Sequence, residues 1–151
     1  MRKPIFERTE DEIVSLLHYS YGEAYTYSVL AFLYPTLDFR NKFHQDHIFP
    51  KKMFTKKRLS KAGISEEDAE FFMDNFNSLA NLQLLEGVPN QEKSGKDFDA
   101  WLTEKYPSAA ERKDYMAKHY IPDVDLSFAH FREFIGKREN MLVKAFKELL
   151  N

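Results

Sequence analysis

Residues 43–50 read FHQDHIFP and residues 77–87 read NSLANLQLLEG, and these two stretches predict the β-structure of the chain. The first places aromatic residues and an isoleucine around polar residues and stops at Pro50, and the second is rich in leucine and stops near Gly87. Short runs of this kind, bounded by proline or glycine, are typical of strands. We therefore predict one short strand over residues 43–49 and a second strand that carries Leu79, Leu82, Leu84 and Leu85.

Helical signals surround both predicted strands. Residues Thr9, Ser65 and Ser108 are N-capping candidates, and the first and last of them have a glutamate three positions later. A more apolar helix is expected from about Glu23 to Tyr34, stopped by a proline. Residues 51–76 are expected to form a helical insertion between the strands. The resulting order is helices, strand, helical insertion, strand and helices, and it predicts a mainly helical α+β fold.

A last helix is predicted from about Ser127 to the end of the chain. Its apolar residues recur at helical spacing and form one stripe, made of Phe128, Phe131, Phe134, Ile135, Leu142, Phe146 and Leu149. Such a stripe belongs to the core of the domain or docks on a partner, and its burial distinguishes the two alternatives.

Composition excludes several classes of protein. The chain has 151 residues, of which 43% are hydrophobic and 15% aromatic, so it can bury a core and is not disordered. It has no cysteine, which excludes disulfides, thiolate zinc sites and cysteine nucleophiles. Its formal net charge of -2 argues against coating nucleic acid by bulk charge. We expect a cytoplasmic protein with no membrane partner, because no run approaches a membrane span and the N-terminus turns acidic at once.

The residues Asp46 and His47 have the chemistry that phosphodiester hydrolysis needs. A histidine can deprotonate water near neutral pH. A carboxylate and an amide oxygen suit a hard divalent ion such as Mg²⁺ or Mn²⁺, and Asn90 supplies such an amide at the start of a helix predicted to carry Asn90 to Lys93. Adjacent residues of a regular strand point to opposite faces, so this site requires a twist or a strand end near His47.

This constellation resembles the HNH nucleases, also called His-Me finger or ββα-metal nucleases. The resemblance implies that Asp46 and Asn90 bind one divalent ion and that His47 is the general base. It implies that Asn81 fixes the hairpin and orients the base, and that Lys93 contacts a phosphate. On this basis residues 41–103 are expected to form the ββα finger. It would lie between a helical N-terminal part over 1–40 and C-terminal helices over 104–151, in a single nuclease domain over residues 1–151.

A closer resemblance is to the C-terminal region of GmrSD-type, modification-dependent restriction proteins. The shared strings are DHIFP at 46–50, SLANLQLL at 78–85, NQEKS at 90–94 and the Trp101-Leu102 pair. This resemblance implies DNA as the substrate, restriction or anti-phage defence as the role, and a nucleotide-hydrolysing domain on the same polypeptide or on a partner subunit. The chain departs from a compact finger, because His47 and Asn81 lie 34 positions apart and zinc-binding cysteine pairs are missing.

A basic run follows the candidate base. It contains Lys51, Lys52, Lys56, Lys57, Arg58 and Lys61 without an acidic residue. The run is either a solvated charged face or a contact for the DNA backbone, and Phe54 and Leu59 are spaced to anchor it as a short helix. His44 precedes Asp46 by two positions and is expected to be a substrate-side or structural residue, with metal contact as the alternative.

Two other functions fit the same residues. The finger could be a fold that has lost its activity, leaving a nucleic-acid-binding module whose contacts are the basic run. The chain could also be a protein-interaction domain on a degenerate finger, in which case the aromatic stripe of the last helix would be exposed. An RNA-directed nuclease of the same finger differs only in its substrate.

Overall fold

A computed structural model describes residues 9–87 and 96–151 of the chain. Their seven α-helices and two strands, α1 to α7 and β1 to β2 in chain order, have the bounds α1 Glu10–Ser15, α2 Thr26–Ala31, β1 Phe43–His47, α3 Lys56–Lys61, α4 Glu66–Asn75, β2 Leu82–Glu86, α5 Phe98–Lys105, α6 Ala109–Lys118 and α7 Phe131–Leu150. Short 3-10 turns cover Leu16–His18, Lys51–Met53, Leu79–Asn81 and Phe128–His130. The predicted mainly helical α+β fold is confirmed.

The two predicted strands pair with each other in antiparallel fashion. Asp46 lies opposite Gln83 and His47 lies opposite Leu82. The first strand ends at His47, two residues earlier than the pattern predicted, and Leu79 lies in a 3-10 turn ahead of the second. The connection between the strands contains α3 and α4, so it is helical as expected.

Both faces of this hairpin are covered by apolar packing. On one face Leu82 and Leu84 pack in a core with the N-terminal helices and with Leu142 and Phe146 of α7. The other face lies toward a second core that is built largely from aromatic rings of α4 to α7. Because successive side chains of a strand alternate, neighbouring residues of β1 belong to different environments.

The last helix connects the two cores. Its residues Phe131, Phe134 and Leu142 are fully buried, so the stripe is core and the sign expected of a partner-docking helix is absent from it. The prediction was wrong for Leu149, which is 40% exposed. Leu149 lies in the last turn of α7, where the next residue, Leu150, is the one that packs on the core.

The N-capping side chains predicted from the sequence are present at the starts of three helices. The second helix, in contrast, is shorter than predicted. Thr9 and Glu12 form a complete capping box, and the Ser65 and Ser108 hydroxyls accept bonds at the starts of α4 and α6. The second helix spans only Thr26–Ala31 instead of the predicted 23–34. The carboxylate of Glu23 accepts hydrogen bonds from the backbone and hydroxyl of Ser20, which holds the preceding residues in a turn.

Two further observations complete the fold. Among residues 9–87 and 96–151, no helix has both the length and the apolar character needed to cross a lipid bilayer. The helix predicted to carry Asn90 to Lys93 lies outside the described residues.

Candidate nuclease site

The imidazole of His47 occupies the end of β1 and is held by Asn77. Its Nε2 lies 2.8 Å from Oδ1 of Asn77. An amide oxygen can only accept a hydrogen bond, so Nε2 carries the proton in this contact, and in the neutral form of the ring the lone pair is on Nδ1. The side chain is 5% exposed. The ring is therefore fixed in the tautomer that has a proton acceptor at Nδ1.

Two aromatic rings flank this imidazole. The ring of Tyr21 lies 4.5 Å from the ring of His47 between centroids, and the ring of Phe76 lies 6.3 Å away. The backbone of Tyr21 is tied to the same segment, because its N–H donates to the carbonyl of Asn77 at 2.8 Å. The loop before α2 and the turn after α4 thus form the walls around the candidate base.

Asn81 organises the backbone that follows His47. Its Oδ1 accepts a 2.9 Å hydrogen bond from the N–H of Phe49, and its Nδ2 donates to the carbonyls of Phe49 and Phe76. Its own carbonyl accepts from the N–H of Ile48 at 2.8 Å. These contacts tie the backbone after His47 to the end of α4, whereas the described hydrogen bond of the His47 ring is donated by its Nε2 to Oδ1 of Asn77.

Asp46 lies on the opposite face of β1 from His47. Its Oδ2 accepts a 2.9 Å hydrogen bond from Nε2 of Gln83, and Oε1 of Gln83 accepts one of 2.6 Å from the hydroxyl of Tyr115 in α6. Asp46 and Gln83 are fully buried. Burial and the nearby Asp46 carboxylate raise the pKa of Tyr115 well above its usual value, so its hydroxyl stays protonated and donates.

Of the two predicted metal ligands, Asp46 lies within the residues that the structure describes. Asp46 is buried and accepts a hydrogen bond from Gln83, whereas Asn90 and Lys93 lie outside the described residues. Within 9–87 and 96–151, no three His, Asp or Glu side chains converge as metal ligands. The strand end required by the sequence is present at His47, but the two side chains still point to opposite faces.

Comparison with known protein families matches residues 6–144 to the C-terminal domain of the GmrSD restriction endonucleases. The chain belongs to this family. The resemblance seen in the strings around Asp46, Asn81 and Trp101 is confirmed, and the match extends through most of α7. Restriction endonucleases are enzymes that cleave DNA, so this is a family of nucleases. No curated protein matches the sequence significantly.

The basic run of this GmrSD C-terminal domain lies on the surface and is connected to the candidate base through aromatic packing. The side chains of Lys51, Lys52, Lys56, Lys57 and Arg58 are exposed. The run is anchored as predicted by Phe54 and Leu59, which are 4% and 1% exposed. The ring of Phe54 stacks on Phe76 at 5.2 Å, and Phe76 faces His47. His44 is half-buried on the face of β1 that carries Asp46.

The GmrSD C-terminal domain also contains a buried arginine whose function the sequence pattern did not reveal. The guanidinium of Arg138 donates to the carbonyls of Leu79, Ala80 and Leu82 at 2.7 to 3.3 Å, next to Asn81. It also donates to the carbonyls of residues 119 and 120 at the end of α6. Arg138 therefore links α7, the end of α6 and the segment that carries Asn81.

The sequence analysis did not identify three residues of the site, because the sequence pattern around each of them is weak. Asn77 precedes Asn81 by four positions, and Gln83 is a single polar residue inside a leucine-rich run. A polar residue within a buried strand indicates a specific partner, so Gln83 could have been noticed. Nothing near Tyr21 in the sequence connects it with a site 26 positions later.

Proposed function

We propose that this GmrSD C-terminal domain hydrolyses DNA phosphodiester bonds with His47 as general base. The supporting observation is the 2.8 Å contact between Nε2 of His47 and Oδ1 of Asn77, because in the tautomer that donates this hydrogen bond Nδ1 is the basic nitrogen of the ring. Membership of a restriction endonuclease family supports DNA as the substrate. A fixed tautomer contributes to catalysis because the ring needs no reorganisation before it takes a proton.

In the proposed reaction, Nδ1 of His47 takes a proton from the attacking water. The imidazole then becomes a cation, and the Asn77 oxygen that already accepts from Nε2 stabilises that charge. The resulting hydroxide forms a bond to phosphorus, the bond from phosphorus to the 3′ oxygen breaks, and the leaving 3′ oxygen takes a proton from solvent water. The basic side chains of the insertion, Lys51, Lys52, Lys56, Lys57 and Arg58, would bind phosphates of the backbone near this point.

Asp46 and Asn90 would hold a divalent ion, with Mg²⁺ or Mn²⁺ suited to their oxygen donors. The carboxylate of Asp46 accepts a hydrogen bond from the neutral amide of Gln83, and its oxygens are donors of the kind that a hard divalent ion prefers. When bound, the ion would stabilise negative charge on the phosphate. Because Asp46 is buried against Gln83, ion binding would exchange this hydrogen bond for coordination, and variants of Asp46 test that step.

The proposal is tested with supercoiled plasmid in the presence of Mg²⁺, Mn²⁺ or EDTA. We expect the metals to support nicking of one strand, since one finger offers one active site. We expect no cleavage with EDTA, because EDTA removes the divalent ion. His47→Ala is expected to lower the nicking rate by about 100-fold or more, the usual contribution of a general base. The matched control is His130→Ala, because His130 is exposed and its ring contacts only Ser127 and Asp125 among the described polar contacts.

Two results would contradict the proposal. Nicking by His47→Ala at the wild-type rate would remove His47 from the mechanism. Salt-dependent DNA binding without any metal-dependent cutting would favour the alternative of a non-catalytic nucleic-acid-binding module. The thermal midpoint of His47→Ala separates loss of chemistry from loss of folding.

A further inference from the structure

Tyr21 is an aromatic side chain that packs on the candidate base and remains exposed. Its ring is 4.5 Å from the His47 ring between centroids, with an interplanar angle of 46°. It is nevertheless 43% exposed, whereas His47 beneath it is 5% exposed. A substrate that approaches the imidazole from solvent on this side therefore meets the ring of Tyr21.

The turn that carries Tyr21 is held rigidly. The N–H of Tyr21 donates to the Asn77 carbonyl at 2.8 Å, and the Glu23 carboxylate accepts from the N–H and hydroxyl of Ser20 at 2.8 and 2.7 Å. Gly22 follows with a φ of 88°, in the left-handed region that glycine tolerates. The ring is thus presented in a fixed position, so little conformational entropy is lost when something binds to it.

Core packing does not account for this placement. Tyr19, two residues earlier, is partly buried against the N-terminal core, while Tyr21 is more exposed and contacts His47. A rigid exposed aromatic ring is a recognised surface for nucleobases, because every base has a flat π face. In base-paired duplex those faces are covered by neighbouring bases, and they become accessible in single strands or extruded nucleotides.

We propose that Tyr21 is a stacking contact for a nucleotide next to the scissile phosphate, and that the preferred substrate has unpaired bases at that point. This inference rests on the proposed function, since it places the nucleotide beside His47. The contact uses the ring face of Tyr21 and not its hydroxyl. It gives the domain a means of favouring single-stranded or locally opened DNA over intact duplex.

Binding of a fluorescein-labelled single-stranded DNA and of the same sequence as a duplex, measured by anisotropy in EDTA, tests the proposal without requiring cleavage. Tyr21→Leu is expected to weaken single-strand binding by about fivefold or more, as loss of one base–aromatic stack does. Tyr21→Phe and Tyr21→Trp keep a flat ring and are expected to bind like wild type or more tightly. Duplex binding is expected to change less than single-strand binding.

The matched control is Tyr25→Leu. Tyr25 is 66% exposed on the same loop, and its described ring contact is with Tyr19 at 6.3 Å and not with His47. Wild-type single-strand affinity in Tyr21→Leu, or equal losses in Tyr21→Phe and Tyr21→Leu, would overturn the proposal. Absence of plasmid nicking together with a Tyr21-dependent affinity would instead reject the nuclease function and leave the stacking contact standing.

Discussion

Gln83 donates a 2.9 Å hydrogen bond from Nε2 to Oδ2 of Asp46, directly across the hairpin. The other end of the same amide accepts from the hydroxyl of Tyr115 in α6 at 2.6 Å. The amide therefore couples the position of the Asp46 carboxylate to a helix outside the hairpin. Since all three side chains are buried, each of these hydrogen bonds offsets the cost of removing polar groups from water.

The first prediction concerns the hydroxyl of Tyr115. Tyr115→Phe leaves the buried Oε1 of Gln83 without its described donor, and an unsatisfied buried acceptor costs about 1–3 kcal/mol. We expect the free energy of unfolding, measured by urea denaturation, to fall by that amount. Tyr106→Phe is the control, because it removes a hydroxyl from the half-buried ring that packs on Tyr115 at 5.2 Å. Equal losses in the two variants would mean that the hydrogen bond to Gln83 contributes nothing specific.

The second prediction concerns the ligands of the divalent ion. Asp46→Asn keeps the shape of the side chain and removes its charge, so Mg²⁺ or Mn²⁺ should bind more weakly in titration calorimetry. Asn90→Ala should weaken the same binding. Asp99→Asn is the control, because Asp99 is an exposed carboxylate of α5. Wild-type affinity in both Asp46→Asn and Asn90→Ala would place the ion elsewhere.

The third prediction is a loss of stability at alkaline pH that depends on Tyr34. Its hydroxyl contacts Nδ1 of His119 at 2.8 Å and accepts from the N–H of Leu84, and burial raises its pKa to about 12. In an unfolded chain a tyrosine ionises near pH 10. Between about pH 10 and pH 12, ionisation of Tyr34 therefore stabilises only the unfolded state. The contribution of Tyr34 is complete below about pH 10 and is lost toward pH 12.

Urea denaturation at a series of pH values from 8 upward measures this effect. Tyr34→Phe should be less stable than wild type at pH 8, because it loses two buried hydrogen bonds. Above pH 10 the free energy of unfolding of this variant should fall less steeply than that of wild type. The difference between the two slopes should reach about 1.4 kcal/mol per pH unit. Tyr115 and Arg138 are present in both proteins and interact electrostatically with Tyr34, so the difference reports the ionisation of Tyr34 together with its coupling to these two groups. Parallel curves would show that Tyr34 ionises equally in both states.

The fourth prediction concerns the basic insertion. Replacing Lys56, Lys57 and Arg58 by glutamine should weaken DNA binding. It should also flatten the slope of log affinity against log salt by about 0.9 for each lost phosphate contact with duplex DNA. The fold should be unaffected, because the three side chains are exposed and α3 is anchored by Leu59. Anisotropy at several salt concentrations gives both quantities.

The control is an equal change of charge elsewhere on the surface. Lys113, Lys118 and Lys137 are exposed on α6 and α7, and glutamine at these positions removes three charges away from the insertion. If this variant loses as much affinity and salt dependence as the first, the attraction is a property of net charge. The basic run would then be a solvated face, the other interpretation that its sequence allows.

Local patterns predicted most of the secondary structure. The capping box at Thr9, the cap at Ser65 and the two short strands depend on residues within a few positions of one another, and the structure confirms them. The second helix was predicted too long because the turn at Ser20 is closed by the side chain of Glu23, which propensity does not reveal. Leu149 fits the helical stripe but is exposed, and Leu150 packs on the core in the same turn.

The contacts of the candidate site were much less predictable. His47 and Asn77 lie 30 positions apart, and Asp46 and Gln83 lie 37 apart. Asn81 was the asparagine expected to orient the base, but its side-chain amide bonds to backbone atoms of Phe49 and Phe76, and Asn77 contacts the ring. A choice between two asparagines four positions apart depends on the turn between α4 and β2, which forms only when the chain packs.

The amino-acid sequence alone established which chemical groups are available. These are an imidazole next to a carboxylate and a basic run after them, with no cysteine in the chain. It also established the alternation of side chains along each strand, because strand geometry is local. Only the folded chain determined the register that sets Asp46 against Gln83 and His47 beside Tyr21 and Asn77. Register and the faces of a hairpin with a long helical connection are set by burial of distant apolar residues on both sides, and no local pattern contains that information.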